Sequence, residues 1–201
     1  MANIALLNRC NLKCKYCFAD NYTGKEREDI TLETFNKLLS FAAPDREVGI
    51  IGGEPLLHKN IDTFLDILKN DMRFVRATIF TNGIYVDKHL PSLIHPKFIV
   101  LVNVNSPKDI GKNAFDKLDE NIELLIENGM KHNVTLGINV YEESQDFTDF
   151  LYLVRKYTFN KIRVSVVIPS EKSEGGINYF YKMKPTLFKL YKELKELGVS
   201  P

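Results

Sequence analysis

Six short β-branched and apolar runs alternate with six amphipathic stretches along this chain of 201 residues. The strand candidates are residues 3–7, 47–51, 75–80, 98–104, 135–140 and 161–168. Helical periodicity follows each run, over residues 32–42, 61–71, 88–94, 114–128, 147–157 and 185–197. Strict alternation of this kind predicts a parallel sheet with right-handed crossovers. The strands read as buried hydrophobic runs, as parallel strands do. Phe115, Leu118, Ile122, Leu125 and Ile126 recur at helical spacing and predict one buried stripe. Thr31, Asn60 and Asn113 stand at expected N-caps, and Gly129 and Gly198 at expected helix ends. Periodicity leaves two architectures open, a doubly wound open sheet and an incomplete barrel. In both, ligands gather at the C-terminal ends of the strands. No internal repeat or domain boundary is evident, so residues 1–201 read as a single domain. Residues 171–176 read as a polar, glycine-rich loop.

The polar clusters of the chain fall on that one edge. Gly52-Gly53-Glu54-Pro55 follows the second strand and Thr81-Asn82-Gly83 the third. Asn103, Asn105 and Ser106 end the fourth, Asn139 the fifth, and Pro169-Ser170 the sixth. The first strand leads into Cys10, Cys14 and Cys17, spaced C-x3-C-x2-C and the only cysteines present. Three thiolates can hold three corners of a cubane iron–sulfur cluster, leaving one iron open to a substrate or cofactor. The competing reading is a zinc site completed by a distant residue such as His58. Zinc sites usually pair C-x2-C with a second such pair, and none exists here. His58, His89, His95 and His132 show no mutual metal-site spacing.

A hydrophobic content of 44% supports a packed core, and a net charge of +1 argues against a general nucleic-acid surface. No apolar run approaches the ~20 residues of a membrane helix, and no signal peptide is evident. Clustered, odd-numbered cysteines fit a reducing compartment, so the expectation is a soluble cytoplasmic protein. Arg9, Lys13, Lys15, Lys25 and Arg27 make the cysteine loop basic. Solvated side chains explain such a run; offsetting an anionic cluster or favouring an acidic electron donor are alternatives.

These residues resemble the radical S-adenosylmethionine (SAM) superfamily. The resemblance rests on Cys10-x3-Cys14-x2-Cys17 with Tyr16 between, Gly52–Pro55, Thr81–Gly83, the strand end at 102–106 and residues 115–125. It implies a laterally open partial (β/α)6 barrel. It also implies an enzyme with a 4Fe–4S cluster on Cys10, Cys14 and Cys17, which cleaves SAM reductively. The 5′-deoxyadenosyl radical so formed would abstract hydrogen from a substrate. By the same resemblance Gly52, Gly53, Glu54 and Pro55 bind the SAM amino group, with the Glu54 carboxylate facing the ammonium. Asn103, Asn105 and Asn139 contact the ribose and carboxylate, Tyr16 lies near the adenine, Phe18 near the cluster, and Thr81 lines the site. The sequence departs from the family pattern at Asn103 and Asn105, where many members carry serine and aspartate. A flavodoxin- or ferredoxin-like electron donor is implied. No catalytic acid or base is assignable; Asp20 and Tyr22 follow the cysteine loop within reach of a substrate.

The branch most resembled modifies peptides and proteins, although its cysteine-rich C-terminal extension has no counterpart here. The chain ends at 198–201 directly after a predicted helix, so either an excised core or a chain lacking the extension is consistent. Small-molecule or nucleobase-precursor chemistry and glycyl-radical activation remain alternative substrates. A non-catalytic metal-binding or redox-sensing module and a SAM-binding regulator without turnover are the readings from other classes.

Overall fold

A computed structural model describes residues 1–17, 29–167 and 176–199. Phe18, Asp20, Tyr22, Lys25, Arg27, Pro169, Ser170 and the loop over 171–175 lie outside the described residues. The strands are β1 (Ala2–Ala5), β2 (Glu47–Ile51), β3 (Arg76–Thr81), β4 (Phe98–Asn103), β5 (Val134–Val140) and β6 (Ile162–Val166). They form one parallel sheet in sequence order, with β1 and β6 at its edges among the described residues. Between and after them lie α1 (Leu32–Ala42), α2 (Ile61–Asn70), α3 (Val86–Leu93), α4 (Pro107–Ile110), α5 (Lys112–Glu127), α6 (Thr148–Lys156) and α7 (Gly176–Glu196).

The two faces of the sheet differ in chemistry. Val48, Ile50, Ala77, Ile79, Val100 and Leu136 share one face in register and are buried. The helices supply Phe35, Phe64, Leu118 and Leu153 to the same core. In α5 the expected stripe is real: Phe115, Leu118, Ile122 and Leu125 are buried and Ile126 packs against them. Each such side chain stabilises the fold by roughly 2 kcal/mol. The opposite face carries Asn3, Thr78, Asn103, Asn139, Arg163 and Ser165, so the strands are not apolar on both sides as expected. Parallel strands tolerate polar side chains where they surround a ligand cavity rather than a helix layer. One cavity of about 340 Å³ touches the ends of β2 to β6 and the loop after β1. The Arg163 guanidinium of β6 lies 6.0 Å from the ring centroid of Phe80 on β3. The sheet therefore wraps around this space, as a partial barrel open between β1 and β6.

Local signals succeeded unevenly. Thr31 caps α1, its hydroxyl accepting the Thr34 N–H at 3.1 Å. Gly129 and Gly198 close α5 and α7 at φ 81° and 74°. Asn60 precedes α2 without a side-chain cap; its N–H instead donates to His58 Nδ1. Asn113 lies inside α5, which begins after Gly111. Pro185 was expected to open the last helix but sits within α7, which starts at Gly176. Proline at a first helical position is the commoner arrangement, so local sequence placed that boundary too late. The single turn α4 had no periodicity to reveal it.

Among the described residues no helix is long and apolar enough to cross a membrane. The aromatic run near the start of α7 divides. Tyr179 packs on the core and donates its hydroxyl to Tyr141 O at 3.2 Å, whereas Phe180 and Tyr181 are exposed.

Candidate active site

Leaving β1, the chain turns into the cysteine loop, and the loop after β2 holds it there. Gly53 N–H donates to Leu7 O at 2.9 Å, and Glu54 N–H to Arg9 O at 2.8 Å. A Cβ on Gly53 would stand 2.1 Å from Arg9 O, so only glycine permits this approach. A backbone bond from Cys17 N–H to Cys14 O, 3.0 Å, tightens the loop itself.

Glu54 is 1% exposed. Its Oε1 accepts from Thr81 Oγ1 at 2.7 Å and Leu56 N–H at 3.1 Å; Oε2 accepts from Asn82 N–H at 2.7 Å. Burial pushes its pKa up to about 7, against the pull of the Asn82, Thr81 and Leu56 donors. Asn82 carries the brace onward, its Nδ2 donating to Asn11 Oδ1 at 2.8 Å in the cysteine loop. From α5, Asn121 Nδ2 fixes the same turn by donating to Gly83 O at 2.8 Å. Thr81-Asn82-Gly83 is thus both a turn and a wall of the cavity.

A second brace comes from the far side. Tyr16 donates its hydroxyl to Asn105 Oδ1 at 2.5 Å, and its ring lies 4.9 Å from that of Tyr141. Burial, with Cys14 nearby, pushes the Tyr16 phenol above its usual range, so it remains a donor. Lys15 pairs with Asp109 at 3.0 Å, and Asp109 also accepts from Tyr141 Oη and Ser106 Oγ. Burial pulls the Asp109 carboxyl upward, but Lys15, Tyr141 and Ser106 hold it below the usual range. Arg9 pairs with Asp29 at 2.6 Å. Two of the basic loop residues are therefore neutralised within the fold.

Cys10, Cys14, Cys17, Tyr16, Gly52, Gly53, Glu54, Thr81, Asn103, Asn105 and Asn139 all line the one cavity. Pro55 does not; it is buried and opens the short 3-10 turn that carries Leu56 to Glu54. The thiols are free and partly buried. Burial, then Cys10, pushes Cys14 up to about 11, and burial likewise raises Cys10.

Among the described residues no three His, Cys, Asp or Glu side chains converge on a single ion. His58 is no latent zinc ligand. It is 1% exposed, with Nε2 on Ile30 O and Nδ1 accepting Asn60 N–H, both at 3.1 Å. Cys10, Cys14 and Cys17 all line one cavity, and three thiolates there can hold three corners of a multi-iron cluster. Asn103 Oδ1 is buried and has no hydrogen-bond partner among the described residues. Such an acceptor costs free energy until a ligand hydroxyl or N–H meets it.

Sequence reasoning passed over Asn11, Tyr141, Arg163 and Ser165. Arg163 and Ser165 did leave a signal, since they alternate with Ile162, Val164 and Val166 at the two-residue period of a strand with one polar face. Tyr141 and Asn11 left none, because their partners lie far along the chain.

Residues 4–151 match the family described as the Radical SAM superfamily, and the chain belongs to it. Among curated relatives, a GTP 3′,8-cyclase from Rhizobium etli is 30% identical over 141 residues, 64% of this chain and 40% of that protein. The radical SAM cyclopropyl synthase TigE of Paramaledivibacter caminithermalis is 24% identical over 208 residues, 92% of this chain and 42% of that protein. This chain thus spans under half the length of either relative. Native anSMEcpe with bound AdoMet and Kp18Cys peptide shares the fold at TM-score 0.70 and 18% identity, over 99% of this chain and 62% of that one. Streptococcus suis SuiB bound to precursor peptide SuiA shares it at TM-score 0.69 and 16% identity, over 96% of this chain and 46% of that one. The superfamily uses a 4Fe–4S cluster and SAM, and its fold is the partial barrel described above.

Proposed function

We propose that this member of the radical SAM superfamily is an enzyme domain, residues 1–201, that cleaves SAM reductively to abstract hydrogen from a substrate. The observation that carries the reading is one cavity lined at once by Cys10, Cys14, Cys17 and the polar ends of β2 to β6. Cys10, Cys14 and Cys17 would hold the cluster. Bound there, the cluster supplies one electron and an open iron position for SAM. The chain's own residues do the rest. Gly52 and Gly53 let the backbone approach the methionyl end, and the buried Glu54 carboxylate fixes the loops that present it. The unpaired Asn103 Oδ1 accepts from a ribose hydroxyl, and Asn105, Asn139 and Tyr16 close the nucleoside end. The protein's part is to position SAM and exclude water and stray hydrogen donors.

The substrate favoured is a peptide or protein, because structures sharing this fold include anSMEcpe with a peptide and SuiB with SuiA. A nucleotide substrate is the second reading, supported by the GTP 3′,8-cyclase relative. Electrons would come from a small flavodoxin- or ferredoxin-like protein. The test is anaerobic reconstitution, then dithionite and SAM. Formation of 5′-deoxyadenosine and methionine supports the reading; none from a fully assembled cluster overturns it.

A further inference from the structure

Arg163 stands on the cavity face of β6. It is the only cationic side chain among the described residues lining that cavity, and it forms no ion pair among them. The Glu54 carboxylate is already engaged by three donors. The contact described for the guanidinium is the Phe80 ring. A half-buried guanidinium with no ion pair among the described residues is free to take an anion brought into the cavity.

The register supplies a place for that anion. Arg163 pairs with Gly137 of β5, and Gly137 pairs with Asn103 of β4. Gly137 carries no side chain, and the Asn103 side chain leans into the space its Cβ would take, with Oδ1 3.1 Å from that point, so Asn103 and Arg163 both reach the cavity from this row. Ser165 and Asn139 stand one register step nearer the rim, which places Arg163 about 7 Å deeper along the strand. The cysteine loop follows the C-terminal end of β1 and lies at the rim. A molecule at Arg163 would therefore sit beneath one bound against the cysteines.

We infer that Arg163 is the anchor for an oxyanion of the substrate, a carboxylate or a phosphate, bound in the cavity beside Phe80 and Ser165. The guanidinium fork matches the paired oxygens of either group, and the Phe80 ring holds its plane. The inference rests on the radical SAM reading only in naming that oxyanion as the substrate's. A substrate carboxylate would come from a peptide; a phosphate would come from a nucleotide or sugar phosphate.

The test uses cluster-reconstituted, SAM-saturated protein, with acetate and inorganic phosphate as probes. Anion affinity is measured by calorimetry for wild type, Arg163→Met and Arg163→Lys, with SAM affinity measured in parallel. Wild type should bind one probe. Arg163→Met should weaken it roughly tenfold or more, and Arg163→Lys by less, since lysine keeps the charge but loses the fork. Preference for phosphate points to a phosphorylated substrate, and preference for acetate to a peptide carboxylate. Either outcome supports the assignment. It is overturned if wild type binds neither probe, or if Arg163→Met binds as well as wild type. It also fails if Arg163→Met loses SAM affinity to the same extent, since Arg163 then serves the SAM carboxylate. A cluster that assembles in Arg163→Lys but not in Arg163→Met overturns it too, by making Arg163 the cluster's counter-charge. Failure of wild type to form 5′-deoxyadenosine would sink the enzyme reading alone, and the anion titration would stand.

Discussion

Glu54 Oε2 lies 2.7 Å from the backbone nitrogen of Asn82, joining the loop after β2 to the loop after β3. Both loops touch the cysteine loop, Glu54 through Arg9 O and Asn82 through Asn11 Oδ1. One buried carboxylate thus sets the walls of the cavity from within. Its removal leaves Thr81 Oγ1, Asn82 N–H and Leu56 N–H without an acceptor. Glu54→Ala should destabilise the cluster-free protein by about 3 kcal/mol, read by urea unfolding at neutral pH. Glu54→Gln should also lose stability, because its amide nitrogen cannot accept. A loss in Glu54→Ala below ~1 kcal/mol would show that the carboxylate is not the brace.

Gly53→Ala tests the close approach. The added Cβ would meet Arg9 O at 2.1 Å and Arg9 C at 2.4 Å, and neither backbone atom can yield without moving the cysteine loop. The variant should take up little iron on reconstitution. Gly129→Ala is the control: nothing stands within 4 Å of its Cβ, and its cost is the φ of 81° alone, about 1 kcal/mol. Full iron loading of Gly53→Ala would contradict the geometry.

Tyr16→Phe removes the donor to Asn105 Oδ1 while keeping the ring on Tyr141. The cluster should still assemble, and SAM affinity should fall about fivefold, equivalent to ~1 kcal/mol. Equilibrium dialysis of SAM against both proteins measures it. Equal affinities would remove the Tyr16–Asn105 pair from the SAM pocket.

His58 sets an acid-side lability. Burial holds its imidazole below the usual pKa, against the pull of Asp29. The unfolded imidazole titrates near ~6.5. Below that pH the unfolded chain binds more protons than the folded one, so stability falls as pH falls. His95, lowered by burial and Lys97, adds to the slope. Glu54, its carboxyl raised to about 7 by burial, contributes the opposite slope over the same range, so the His58 share is read as a difference: the stability of wild type relative to His58→Gln should drop between about pH 6.5 and 5. A His58→Gln protein with an unaltered slope would place the effect elsewhere.

The strand–helix rhythm was legible because each run is set by its own side-chain period. The inventory of the site was legible because Cys10, Gly52, Glu54 and Asn103 all fall at strand ends. The role of Glu54 was not, since its partners Thr81 and Asn82 lie 27 and 28 residues away. The structure ties both its oxygens to protein donors, a bracing role beside its place in the cavity wall. Arg163 left its alternation with Ile162, Val164 and Val166 in the sequence, but only the sheet shows that its face lines the cavity. Pro185 misled because its place within a helix depends on how α7 packs, which no local window contains.

The central claim is that Cys10, Cys14 and Cys17 hold a cluster with one iron left open. The most direct measurement is electron paramagnetic resonance of the reconstituted, dithionite-reduced protein before and after SAM. The account predicts about four irons per chain and a cluster signal that changes when SAM is added, with both absent in Cys14→Ala. A full cluster whose signal ignores SAM, or a single zinc per chain in place of iron, would contradict it.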